Sequence, residues 1–142
     1  MIQKSGFIRA CYYFGAAADL IASLPLIFPE IAKFMFGLAS LNADNGYLYV
    51  SRIGASLMLG WTLLLVWGSF KPIERKGILL LTVFPVLTGL LVSSILVLNS
   101  GFIETEFMLP LWIFYAIIIP LYIYAYILAG KIETWNFIQK SK

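Results

Sequence analysis

Residues Tyr47–Phe70 read YLYVSRIGASLMLGWTLLLVWGSF, 24 residues that are apolar almost throughout. A helix rising about 1.5 Å per residue crosses a hydrocarbon layer about 30 Å thick in that length, with room for tilt. One cation, Arg52, lies inside the run rather than beyond its end. Three further runs match it in length and polarity: Phe7–Phe28, Gly77–Leu98 and Phe107–Ala129. The whole chain of 142 residues is 61% hydrophobic and only 12% charged, with a mean hydropathy of +0.92. Soluble domains carry about 25% charged residues, so the composition predicts an integral membrane protein. Little chain is left outside the four runs. The expected fold is a single all-α domain over residues 1–142, a four-transmembrane-helix bundle.

Charge placement predicts the topology. Four spans put both ends of the chain on one side, together with the connection between spans two and three. That side carries Lys4, Arg9, Lys71, Arg75, Lys76, Lys131, Lys140 and Lys142, eight of the ten basic residues. The other holds only Lys33 and Arg52, with Glu30, Asp44, Glu104 and Glu106. Short loops rich in Lys and Arg stay in the cytoplasm, so both termini are expected there. The net charge of +3 thus follows from topology, and no nucleic-acid partner is expected.

Other chemistries are excluded by residue type. Cys11 is the single cysteine, which leaves no intrachain disulfide and no thiol pair. With no histidine, imidazole-bound metals, haem and His-based acid–base catalysis are not expected, and no cofactor or metal is assigned. The first apolar run follows Lys4 and Arg9 like a signal peptide. It is too long for one and reads as a retained span.

Along the chain, Asp19 is the one acid inside an apolar run. At that depth an acid costs about 2.5–3.5 kcal/mol on insertion scales, so it must face protein or water. Residues three and four positions away are Gly15, Ala16, Ala22 and Ser23, all small, a stripe suited to close helix packing. Pro25 and Pro29 are expected to end the span. In EIAKFMFGL, Ile31, Phe34, Met35 and Leu38 recur at helical spacing opposite Glu30 and Lys33, which predicts a short amphipathic interfacial helix between the first two spans. Ala43-Asp44-Asn45-Gly46 is turn chemistry. In span two, Ala55, Ser56, Leu59 and Gly60 lie one and two turns beyond Arg52 and predict a second small face. Pro72 suits a helix start, and Pro85 predicts a kink in span three. In span four, Trp112, Tyr115, Ile119, Tyr122 and Tyr126 share a face. Trp112, Tyr122 and Tyr126 are expected at the membrane interfaces. Tyr115 lies deeper and needs a partner for its hydroxyl. The tail from Lys131 to Lys142 is expected to graze the cytoplasmic leaflet.

Depth brings the polar residues together. Asp19 lies about 13 Å below Phe28 and Arg52 about 8 Å below Tyr47, from the helical rise. An arginine side chain bridges the difference, so a direct ion pair is expected. Ser23, Ser56, Ser93 and Tyr115 lie at similar depths. The candidate ligand-binding residues are therefore Asp19, Arg52, Ser23, Ser56, Ser93 and Tyr115, with no catalytic residue assigned. Two readings stay open: a pocket for a polar head group within an apolar sleeve, or an ion pair that only sets helix register.

The order of these features resembles the DoxX-like four-helix membrane proteins, including their BphX-type branch. The resemblance is carried by the small-residue first helix with Asp19, the outer amphipathic segment and S-R-I-G-A-S-L-M-L-G-W at the head of span two. The hairpin K-P-I-E-R-K and the Pro/Tyr-rich last helix complete it. It implies a small four-helix fold and no general activity. Members often carry an acid in the second helix, where this chain has Arg52. The layout is also similar to the sterol-isomerase and emopamil-binding group, whose intramembrane acids and aromatics surround a lipophilic cation or sterol. The histidine and second intramembrane acid suited to that catalysis are absent here.

The expected function is non-catalytic binding of a lipid, quinone or other amphiphile in an outer-leaflet pocket around Asp19 and Arg52. The alternative is an accessory subunit of a membrane complex, or a homo-oligomer, whose Asp–Arg pair is purely structural. An enzyme acting on lipid is the third possibility.

Overall fold

The computed structural model describes residues 2–38 and 41–140 and contains no strand among them. Helix α1 runs Ile2–Ile27, α2 Pro29–Phe36 and α3 Asn45–Phe70. The third long segment is divided into α4 (Gly77–Leu81), an irregular wide turn (Thr82–Leu87) and α5 (Thr88–Asn99). Helix α6 is a single 36-residue helix, Thr105–Lys140. Four stretches are long and apolar enough to cross a membrane: Ser5–Ile27, Asn45–Phe70, Gly77–Asn99 and Thr105–Gln139. The all-α four-helix bundle expected from the sequence is therefore present. Many large apolar side chains point away from the core, among them Ile21, Val50, Leu57, Leu63 and Ile117. An outward apolar surface suits a lipid surround rather than water.

Local chemistry explains where the helices start and stop. Asp44 caps α3, its carboxylate accepting from Tyr47 N–H at 2.7 Å. Pro29 occupies the first turn of α2, where its missing N–H costs nothing. Pro25, expected to help end the first span, instead lies within the last turn of α1. Helix α2 ends at Gly37, whose φ of 62° is left-handed; a Cβ there would also meet the Phe107 ring at 2.1 Å. Pro72 does not start a helix. It is buried in the turn from Lys71 to Lys76, and α4 begins only at Gly77. The kink expected at Pro85 is present: Phe84 has extended angles (φ −118°, ψ 117°), as the residue before a proline prefers. The Phe84–Pro85 peptide bond is cis.

Helix α1 packs most extensively on α3 and also contacts α6, while α4 and α5 lean on α6. The end that holds the start of α1 is tightly closed. Tyr12, fully buried, donates to the Arg75 carbonyl at 2.8 Å. Gly68 makes room for it, since a Cβ there would lie 2.5 Å from Tyr12 Cε1. Arg75 stacks over the Trp67 ring at 3.5 Å and donates to the Trp67 carbonyl. Lys76 pairs with Glu133, which ties the turn to the part of α6 that continues without a break past Lys131. Helix α6 thus continues to Lys140, with Trp135, Phe137 and Ile138 exposed along it; Ser141 and Lys142, like Met1, lie outside the described residues.

The shared face expected for the aromatic stripe of α6 is turned toward the core. Tyr115 and Tyr122 are core residues, with Trp112, Ile119 and Tyr126 packed against the same core. Trp112 donates to Ser94 Oγ at 3.0 Å. One face of α6 therefore fills the bundle interior, where Trp112 and Tyr122 find protein partners for their polar edges.

Candidate functional site

The tight end gives way, beyond Tyr122, to a cavity of about 400 Å³. That volume lies in the range of small-molecule sites. All four long segments line it: α1 through Gly15, Ala18, Asp19 and Ala22, α3 through Met58 and Leu65, the kinked segment through Thr82 and Leu87, and α6 through Phe114, Tyr115 and Tyr122. Helix α2 adds Met35. Phe14, Ile21 and Leu90 also line it while remaining exposed on the outer surface. The cavity therefore reaches the side of the bundle.

The small stripe on α1 makes the space. Gly15, Ala16 and Ser23 are buried and Ala22 half-buried, as spacing around Asp19 predicts. Gly15 is needed for a specific reason. Tyr122 donates to the Cys11 carbonyl at 3.2 Å, and a Cβ on Gly15 would lie 1.6 Å from the Tyr122 Oη.

Asp19 lines this cavity with its carboxyl unsatisfied. Its Oδ2 is the one buried side-chain nitrogen or oxygen among the described residues that has no hydrogen-bond partner. The other polar groups of the lining differ. Thr82 Oγ1 donates to the Ile78 carbonyl at 2.8 Å and accepts from Trp61 Nε1 at 3.2 Å. Tyr122 is engaged with Cys11. Tyr115 is buried on the lining, its ring edge-on to Phe114 with centroids 6.0 Å apart.

The expected Asp19–Arg52 ion pair is not formed. The ion pairs among the described residues are Lys33–Glu30, Lys71–Glu74 and Lys76–Glu133, and Arg52 is exposed. The physical reason is helix phase. The buried positions of α3 are Ser51, Ala55, Thr62, Leu65, Gly68 and Ser69, a stripe that passes one residue to the side of Arg52. A step of one residue turns a side chain by about 100° around the axis. Depth alone cannot capture that rotation. The proposed small face of span two is corrected with it, because Ser56 and Gly60 are exposed, Leu59 is half-buried and only Ala55 is fully buried.

The serines do not join the site either. Ser23 is buried but donates to the Leu20 carbonyl at 2.7 Å, and Ser56 donates to Ile53 at 3.0 Å. Such bonds to the preceding turn satisfy a hydroxyl within its own helix. Ser93 is exposed; its neighbour Ser94 is the buried one, bonded to Trp112. Of the six candidates, the structure brings together Asp19 and Tyr115 at the cavity and leaves the other four out of its lining. Met35, Met58, Thr82 and Phe114 are lining residues that sequence reasoning did not select. Only Met35 carried a signal, as part of the apolar stripe of the short helix.

Among the described residues, no three His, Cys, Asp or Glu side chains come together to hold a metal ion. Comparisons with protein-family models, with curated proteins and with solved structures find no match for the chain.

Proposed function

We propose that this chain is an integral membrane protein, with both termini cytoplasmic, that binds a lipid, quinone or other amphiphile in the cavity around Asp19. One observation carries the reading: a buried carboxylate oxygen without a partner lines an otherwise apolar cavity of about 400 Å³. Leaving a buried polar group unsatisfied costs about 1–3 kcal/mol, and a ligand with a polar end and an apolar body would relieve that cost. The exposed rim residues Phe14, Ile21 and Leu90 support entry from the side, where lipid would lie. The role proposed is one of binding rather than catalysis: the lining presents one carboxyl and no second carboxyl, lysine, histidine or cysteine beside it. The test is native mass spectrometry of protein extracted from membranes. A bound amphiphile on the wild type that is lost in Ala22→Phe supports the proposal, and retention of the same adduct in that variant refutes it.

A second reading, membership of a larger membrane assembly or homo-oligomer, is favoured by Arg52. It is exposed beside Tyr49, Val50 and Ile53, on an apolar flank of α3. A cation there would suit an acidic side chain of a neighbouring helix. Kinship with the DoxX-like proteins likewise stands as a proposal from layout, and it transfers no activity.

A further inference from the structure

The proposed binding role leaves the head group of the ligand open, and the cavity lining narrows it. The unsatisfied atom, Asp19 Oδ2, is a carboxylate oxygen, an acceptor when ionised. No lysine or arginine lines the cavity. An anionic head group would therefore meet a like charge and no counter-ion, which is costly at low dielectric. Thr82 and Tyr122 already donate to backbone carbonyls, which leaves the Tyr115 hydroxyl as the remaining donor of the lining. Around Asp19 the lining also supplies the rings of Phe14, Phe114 and Tyr115 and the thioethers of Met35 and Met58. Aromatic faces attract ammonium groups through their quadrupole, and methionine adapts to flexible alkyl chains.

We infer that the cavity selects amphiphilic amines, with the ammonium group donating to Asp19 and the alkyl body lying among the aromatic and methionine side chains. This inference rests on the binding role proposed above. A quinone head offers mainly acceptors, and a phosphate or carboxylate head brings negative charge; both lack the donor that the orphaned oxygen needs. An alcohol supplies one neutral donor and ranks between them. Charge-assisted hydrogen bonds are roughly twice as strong as neutral ones, so the amine should bind about tenfold more tightly than the matching alcohol.

The test uses three probes with one chain length: dodecylamine, dodecanol and dodecanoate. Each is titrated into the intact purified protein in a single uncharged detergent at neutral pH. Binding is followed by native mass spectrometry and by thermal unfolding, for wild type, Asp19→Asn and Ala22→Phe. The expected order is amine, then alcohol, then carboxylate, with the amine advantage lost in Asp19→Asn and all binding lost in Ala22→Phe. Equal binding of the three probes to wild type, abolished by Ala22→Phe, would overturn the amine preference while leaving an amphiphile cavity. Binding that Ala22→Phe does not change would overturn both. Tightest binding of dodecanoate would overturn the head-group assignment. The wild-type ranking decides the question even if Asp19→Asn fails to fold.

Discussion

Tyr122 of α6 reaches across Gly15 of α1 to donate to the Cys11 carbonyl at 3.2 Å, and a methyl group on Gly15 would overlap its hydroxyl at 1.6 Å. This contact forms the floor between the close-packed end of the bundle and the cavity. Gly15→Ala should therefore cost about 1–3 kcal/mol, as overpacking of a filled core does. Tyr122→Phe should cost about 0.5–1.5 kcal/mol from the lost hydrogen bond. The double variant should lose less than the sum, because phenylalanine lacks the clashing oxygen and the next atom, Cζ, would stand at 2.9 Å. Thermal unfolding of the four proteins measures this coupling.

The close-packed end below this floor makes a parallel prediction. Tyr12→Phe removes the 2.8 Å hydrogen bond to the Arg75 carbonyl and should cost about 0.5–1.5 kcal/mol. Gly68→Ala should cost more, on the order of 1–3 kcal/mol, since its Cβ would meet the buried Tyr12 ring and Ile78 Cδ1 at 2.5 and 3.1 Å. Hydrogen exchange at the turn from Lys71 to Lys76 should rise in both variants. An unchanged turn in Gly68→Ala would contradict this packing.

Asp19 and Arg52 should behave as independent residues. Breaking a buried ion pair by removing one partner costs about 3–5 kcal/mol. Here Asp19 has no partner and Arg52 is exposed. Asp19→Asn should leave the stability of the empty bundle unchanged or higher, and Arg52→Gln should shift it by less than about 0.5 kcal/mol. The double-mutant coupling should fall within about 0.3–0.5 kcal/mol of zero. A coupling of several kcal/mol would restore the ion pair.

Filling the cavity separates binding from stability. Ala22→Phe adds a ring to a space of about 400 Å³, so it should not destabilise the empty protein while it removes bound amphiphile. Size-exclusion and unfolding measurements check the first part, and native mass spectrometry the second.

Topology is open to a direct check. Eight of ten basic residues lie at the termini and the connection between spans two and three, and the positive-inside bias predicts a cytoplasmic location for that side. A fluorescent-protein fusion at the C-terminus should be bright and a periplasmic-phosphatase fusion inactive in a bacterial host. The reverse pattern would invert the orientation.

The run of residues 47–70 and its three counterparts were legible as long apolar helices because length and apolarity are local properties. The same holds for the amphipathic segment before Gly37, the kink at Pro85 and the small stripe that places Asp19 against other helices. Asp19 could be singled out because an acid in an apolar run has few places to go. Its surroundings were not legible. Whether Arg52 points toward it depends on how α3 is rotated, and that rotation is set by the packing of Ser51, Ala55, Thr62 and Leu65 on neighbouring helices. Serines looked available because their bonds to the carbonyls of their own preceding turns cannot be counted from composition. The aromatic face of α6 turned inward where Tyr122 fills the space left by Gly15 on α1. Residue chemistry by itself determined that this protein is a bundle of apolar helices with one acid inside an apolar span. Only tertiary packing decided that the acid faces a cavity instead of a cation, because helix rotation and the volumes of facing side chains are properties of pairs of helices and not of any one segment.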